Sequence, residues 1–162
     1  MKAVVCGTGS SVPACVWNND DLSRMVDTND EWIRERTGII TRHIAKEETC
    51  VSMASEAARR ALAQAGIPAE EVDLLIVSTI SSNIVLPCTA CEVQKEIGAV
   101  NAVAYDLSAA CTGFVMAYQS AQSFLQAGIY RTALLIGSEC LSNLVNWKDR
   151  GTCILFGDGA GA

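Results

Sequence analysis

Residues 74–79 read LLIVST, an apolar run ending in Ser78 and Thr79. Such a run reads as a strand buried on both faces, and a sheet buried on both faces must carry helices on each. The same signal returns at residues 102–107 and 133–137, with shorter versions at 1–6 and 152–156. Helical patterns fill the intervals. Thr49 opens a long helix of small and apolar residues that passes Leu62 and stops at Gly66 and Pro68. Pro87 suits the start of a helix running to Ile97, and residues 112–127 form the next helix. Nearer the N-terminus, residues 18–20 cap a short helix. Asn29 and Asp30 cap a second one that carries Trp32, Ile33 and Arg36 and ends at Gly38. Residues 39–44 alternate like a strand, and 80–86 and 143–151 read as loops. Strands alternating with helices predict an α/β fold, with a sheet sandwiched between helices.

Composition narrows the function. Half of the 162 residues are hydrophobic and 19% are charged, which describes a packed domain. A net charge of -6 disfavours nucleic acid or an anionic membrane as a general partner. No apolar run approaches the roughly 20 residues of a membrane helix. The opening MKAVVCGTGS does not read as a signal peptide. Eight cysteines in a core-rich chain predict reduced thiols in a cytoplasmic protein, most of them packing as small hydrophobes. The closing GDGAGA follows an expected strand with nothing to cover it, which predicts a piece of a longer protein.

Four features compete as functional sites. Gly7 and Gly9 follow a strand, but Val12 and Pro13 stand where a dinucleotide loop needs its third glycine. Close backbone packing explains the two glycines better, and GDGAGA has no helix after it. Cys88 and Cys91 form a C-x-x-C without a second pair, so zinc is not expected and helix packing outweighs a redox role. His43 is the only histidine and has no sequence partner, which makes it structural; no metal site is expected. Cys111 differs. In DLSAACTGF, residues 106–114, it stands between a buried strand and the first turn of a helix. Unpaired amides and the helix dipole favour an anionic sulfur there, and a thiolate attacks thioesters readily. Ala109, Ala110 and Gly113 are small enough to admit an acyl group. Packing of a buried free cysteine remains the competing reading.

The segment DLSAACTGF resembles the nucleophile segment of the β-ketoacyl-acyl-carrier-protein synthase III family, condensing enzymes of the thiolase superfamily. NDEWIRERTGIITRHIA (29–45), GSECLSN (137–143) and WKDRGTCILFGDGAGA (147–162) are similar to other segments of that family, in the same order and spacing. The resemblance implies one βαβαβαββ half of a two-half enzyme, a mixed five-stranded sheet with helices on both faces, and it makes residues 1–162 the N-terminal half. It implies an acyltransferase that moves an acetyl group from acetyl-CoA onto Cys111. Condensation with malonyl-acyl carrier protein, with loss of carbon dioxide, would then begin type II fatty acid synthesis. Coenzyme A thioester is a substrate, and no permanent cofactor is implied. Trp32, Arg36 and Arg150, with Thr28 nearby, correspond to positions that hold the nucleotide end of coenzyme A. Leu86 corresponds to a position that closes the acyl pocket across a homodimer. The family's histidine and asparagine belong to the other half, and His43 matches neither. A related condensing enzyme with another starter is a close variant of this reading. Two other classes stay open: a non-catalytic fragment that dimerises or holds coenzyme A, and a thiol redox protein built on Cys88 and Cys91.

Overall fold

The computed structural model describes residues 3–162. Its strands and helices run β1 (Ser10–Ser11), β2 (Val16–Asn18), α1 (Asn19–Ser23), α2 (Asp30–Thr37), β3 (Thr41–His43), α3 (Cys50–Ala65) and β4 (Leu74–Ser78). They continue α4 (Thr89–Ile97), β5 (Val103–Leu107), α5 (Gly113–Gln126), β6 (Ala133–Cys140), α6 (Arg150–Cys153) and β7 (Asp158–Gly161). The main sheet has five strands in the order β1-β7-β6-β4-β5. β4 pairs in parallel with β5 and β6, while β7 lies antiparallel to β6 and β1. Main-sheet strands and the helices packed on them follow β1-α3-β4-α4-β5-α5-β6-β7, the βαβαβαββ order.

The core forms around β4, whose five residues are all buried. Leu75 and Val77 point to one face, where Ala54, Ala58 and Val93 of α3 and α4 cover them. Leu74 and Ile76 point to the other, beneath Ala117 and Ala121 of α5. Each buried side chain of this size contributes roughly 1.5–3 kcal/mol. Alanines on the helix faces let α3 and α5 lie close to the sheet. Closest of all are Gly7 and Gly9, where a Cβ would overlap the backbone carbonyls of Ala61 and Ala57. A satellite core of Leu22, Ile33, Cys153 and Ile154 joins α1, α2 and α6. Buried Arg42 of β3 pins it, donating from Nη2 to Asn19 Oδ1 at 2.8 Å.

Several local expectations are corrected. Residues 3–6 form no strand; the first strand is Ser10–Ser11, and Met1 and Lys2 of the expected strand lie outside the described residues. The apolar run 152–156 is not a strand either. Asp149 caps a helical turn there, accepting the Gly151 N–H at 2.9 Å and the Thr152 hydroxyl at 2.8 Å, and Cys153 and Ile154 turn into the satellite core. The last strand is instead the glycine-rich Asp158–Gly161, whose small residues fit between two neighbours. β7 is therefore interior to the sheet and not an uncovered edge. The segment 143–151 also contains the start of α6. Pro87 precedes the helix cap, Cys88, and does not occupy the first turn.

One gap interrupts the sheet. β7 pairs with β6 only over Gly137–Cys140, although β6 begins at Ala133. Between the first half of β6 and residues 3–8 lies a cavity of about 510 Å³, walled by Ala61 and Ala65 of α3 and by Phe114 and Tyr118 of α5.

Two expectations follow for stability. Gly9→Ala forces a Cβ against the α3 backbone, so thermal unfolding of that variant should reveal a loss of about 1–3 kcal/mol. Glu48 accepts the N–H groups of Ala14 and Lys46 at 3.0 and 3.1 Å, which holds its carboxyl at about 2, below the ordinary 4.5. A lowered folded-state value gives stability that is present above the ordinary value and lost as pH falls through the folded one. Denaturant titrations of Glu48→Gln between pH 5 and about pH 2 should show a shallower acid loss than the parent chain.

Candidate active site

β4, β5 and β6 are parallel, so their carboxyl ends open on one edge of the sheet, the usual location of sites in such folds. Cys111 stands there. β5 ends at Leu107, a single 3₁₀ turn spans Ala110–Thr112, and α5 starts at Gly113. Ala110 has φ 46°, a left-handed conformation that costs an alanine about 1–2 kcal/mol. Thr112 steadies the turn, its hydroxyl and N–H both donating to the Ala109 carbonyl at 2.9 and 3.2 Å. The strained turn presents Cys111 to solvent at the head of a 14-residue helix. One expectation changes here. Gly113 is buried, and a Cβ on it would meet the Ser78 hydroxyl of β4. Its smallness lets α5 seat on the sheet; it does not make room for an acyl group.

The loop after β4 approaches the same edge. Glu139 of β6 accepts from the Ile80 N–H at 3.0 Å, from the Thr79 hydroxyl at 3.3 Å and from the Ser81 hydroxyl. Asp106 of β5 caps α4, accepting the Thr89 and Ala90 N–H groups at 2.9 and 2.7 Å. The two carboxylates tie down both ends of the loop, and its apex is left outside. Val85 and Leu86 are 91% and 90% exposed, so Leu86 projects away from its own domain. Neither carboxylate stands out in the sequence. Both act through backbone amides at strand ends, a role that leaves no spacing signature.

Trp32, Arg36 and Arg150 come together elsewhere on the surface. Asn29 caps α2 by accepting the Trp32 N–H at 2.8 Å, and Ile33 anchors the helix in the satellite core. Arg36 lies one turn on and places its guanidinium carbon 4.2 Å from the Trp32 ring centroid. Arg150 arrives from α6, with its guanidinium carbon 4.8 Å from the same centroid. It also donates to the Asp27 carbonyl at 3.1 Å, bringing the segment before Thr28 alongside. The Thr28 hydroxyl is buried and unpaired. The two arginine side chains are about half exposed, at 50% and 48%. Each has a carboxylate neighbour, Glu35 at 4.0 Å from Arg36 and Asp27 at 3.8 Å from Arg150, long exposed pairs that a bound anion can displace. An aromatic face flanked by two arginines can stack a planar base and pair phosphates. No hydrogen bond or ion pair among the described residues joins this cluster to the Cys111 turn.

Other candidates separate from the site. The His43 Nδ1 lies 2.6 Å from the Pro13 carbonyl, a structural contact. Gly7 and Gly9 pack on α3, and the closing glycines form β7. Among the described residues no group of three or more His, Cys, Asp or Glu side chains could hold a metal ion, and no helix is long and apolar enough to cross a membrane.

Comparison with known proteins agrees with the geometry. Residues 105–162 match the family model for 3-oxoacyl-[acyl-carrier-protein] synthase III. The chain is 54% identical over 158 residues to a β-ketoacyl-[acyl-carrier-protein] synthase III of Clostridium botulinum, covering 98% of this chain and 48% of that one. It is 56% identical over 159 residues to the same-named protein of Desulfitobacterium hafniense, with the same coverage of 98% and 48%. Among solved structures, 3-oxoacyl-[acyl-carrier-protein] synthase III from Aquifex aeolicus superposes with a TM-score of 0.95 at 50% identity, over 96% of this chain and 51% of that one. The priming β-ketosynthase of the R1128 polyketide pathway also reaches 0.95, at 39% identity, over 97% and 47%. The chain spans about half the length of the curated relatives it matches. In fold and in sequence it belongs to the β-ketoacyl-acyl-carrier-protein synthase III family of thiolase-fold condensing enzymes.

Proposed function

We propose that residues 1–162 are the N-terminal, nucleophile-bearing half of an enzyme that condenses acetyl-CoA, or a similar acyl-CoA primer, with malonyl-acyl carrier protein. The observation that carries this reading is the exposed Cys111 on a strained turn at the head of α5. The Cys111 sulfur attacks the thioester carbonyl, coenzyme A leaves as the thiol, and the acyl group stays on the sulfur. The Cys111 N–H is one donor to the developing oxyanion. Decarboxylation of the malonyl group then supplies the carbanion that attacks the acyl-cysteine, releasing β-ketoacyl-acyl carrier protein and the free thiol. The groups that promote decarboxylation belong to the other half.

Trp32, Arg36 and Arg150, with Thr28 beside them, hold the nucleotide end of the acyl-CoA; no permanent cofactor takes part. Leu86 closes the acyl pocket of a partner subunit in a homodimer, and its 90% exposure supports that assignment. Exposed Phe114, Val115 and Met116 at the start of α5 support a further covering layer from the other half. The reaction begins fatty acid synthesis in the cytoplasm. The starter follows from the pocket side chains, and a priming β-ketosynthase of a polyketide pathway stands among the structural relatives. A second reading, a fragment that binds acyl-CoA without turnover, is favoured by a Trp32–Arg36–Arg150 stack that is assembled among the described residues while no side chain there hydrogen-bonds the exposed Cys111 sulfur.

Incubation with acetyl-CoA, followed by intact mass and peptide mapping, tests the proposal. The expected result is an acetyl adduct on Cys111 that is absent from Cys111→Ser, with the unfolding midpoint little changed. Retention of the adduct in that variant would falsify the assignment of the nucleophile. Coenzyme A affinity retained with no adduct selects the binding-only reading. Arg36→Ala and Arg150→Ala should each weaken coenzyme A binding about threefold to thirtyfold in titration calorimetry. The loss should shrink at high salt; unchanged affinity places the nucleotide elsewhere.

A further inference from the structure

The Cys88–Cys91 pair has no part in the chemistry above. Cys88 caps α4 without using its side chain for the cap, and Cys91 lies one turn in. Their sulfurs are 3.4 Å apart. Both residues are partly exposed, and neighbouring Pro87 is exposed. The other thiols differ. Cys50 and Cys140 are also neighbours in one core cluster, but both are buried, at 5% and 1% exposure. Cys6 and Cys111 are exposed, and no sulfur–sulfur contact involves them among the described residues. Cys88 and Cys91 alone among the described thiols combine proximity with access. The spacing itself produces this: a cap residue and the third residue of the helix lie on one side of the first turn.

We infer that Cys88 and Cys91 form a reversible redox modification site, closing to an intramolecular disulfide in exchange with a small-molecule disulfide. The Cys88 thiolate attacks one sulfur of the small molecule and releases one thiolate. The Cys91 thiolate then attacks the Cys88 sulfur and releases the second. The pair loses two protons and two electrons, and the small-molecule disulfide is reduced to two thiols. The adjacent Cys88 sulfur, burial and the Asp106 carboxylate raise the Cys91 thiol above its ordinary value, so the closing step should quicken as pH rises.

The position makes the modification consequential. Thr89, between the two cysteines, donates from its hydroxyl to Ser82 at 2.7 Å and from its N–H to Asp106 at 2.9 Å. Ser82 lies in the loop that carries Leu86, and Asp106 is the penultimate residue of the strand that leads to Cys111. Closing the disulfide braces the shared foot of the loop and of α4.

The test equilibrates the 162-residue chain with glutathione buffers of rising disulfide-to-thiol ratio, quenches with acid, alkylates the free thiols and maps the peptides. The expected product lacks two hydrogens, carries no glutathione on Cys88 or Cys91, escapes alkylation at both and reopens in excess thiol. It should be absent from Cys88→Ser and Cys91→Ser, with Cys91→Ser trapping a glutathione adduct on Cys88. Full alkylation of both cysteines at ratios that load glutathione onto Cys6 and Cys111 overturns the inference. So does a disulfide from either cysteine to a different partner. Neither readout requires acetyl transfer.

Discussion

Everything in this molecule is hung on β4. Its residues are buried on both faces, and its two neighbours run parallel to it. Parallel neighbours cannot be joined by a tight turn, so the chain must cross over through α4 and α5. Those crossovers cover the two faces, which is where the burial of Leu74, Leu75, Ile76 and Val77 takes effect. They also fix the functional edge. The carboxyl ends of β4 and β5 each lead into a loop and then a helix, one bearing Leu86 and the other Cys111. The site is a by-product of the direction in which three strands are forced to run.

Much of that layout is legible in the amino-acid sequence. The runs at 74–79, 102–107 and 133–137 correspond to β4, β5 and β6, but only β4 is buried on both faces. β6 alternates, and β5, expected as a buried strand, is a partly exposed edge whose apolar residues face α4 and α5. The caps at Asn18, Asn29 and Thr49 are legible too, because a side chain that accepts an amide at the third helical position is a local device. Residues 152–156 mislead for the opposite reason. An apolar run states that residues are buried and not how, and a capping Asp149 turns this one into a helix that packs on Leu22 and Ile33. β7 is hidden because GDGAG looks like a turn. Its small residues are demanded by neighbouring strands and α3, partners distant in sequence.

The candidate functional residues divide along similar lines. Cys111 can be singled out from its place between a strand and a helix, although packing is an equal reading on that ground alone. Family resemblance assigns Trp32, Arg36 and Arg150, and the structure brings the three into one stack from two elements more than a hundred positions apart. No periodicity connects α2 with α6. Glu139 and Asp106 leave no mark because a carboxylate that receives backbone amides is indistinguishable in sequence from a solvated one. The smallness of Gly113 invites the wrong reason: its missing side chain serves the Ser78 contact within the sheet.

The pairing of Gly9 with Ala162, through two backbone hydrogen bonds of 3.0 and 2.8 Å, also dictates an order of events. A ribosome builds β1 early and β7 long afterwards. The parallel core of β4, β5 and β6 can assemble while synthesis continues, because its crossovers are short-range. β1 must wait, since its strand partner is β7. Contacts between such distant positions carry a large loop-closure entropy and form late. Until then the segment of Gly7 and Gly9, shaped to lie on the backbone of α3, has no strand partner to hold it there. The flank of β6 that β7 will cover stays open through the same interval, so the nascent chain carries an unpaired strand edge until residues 158–161 arrive.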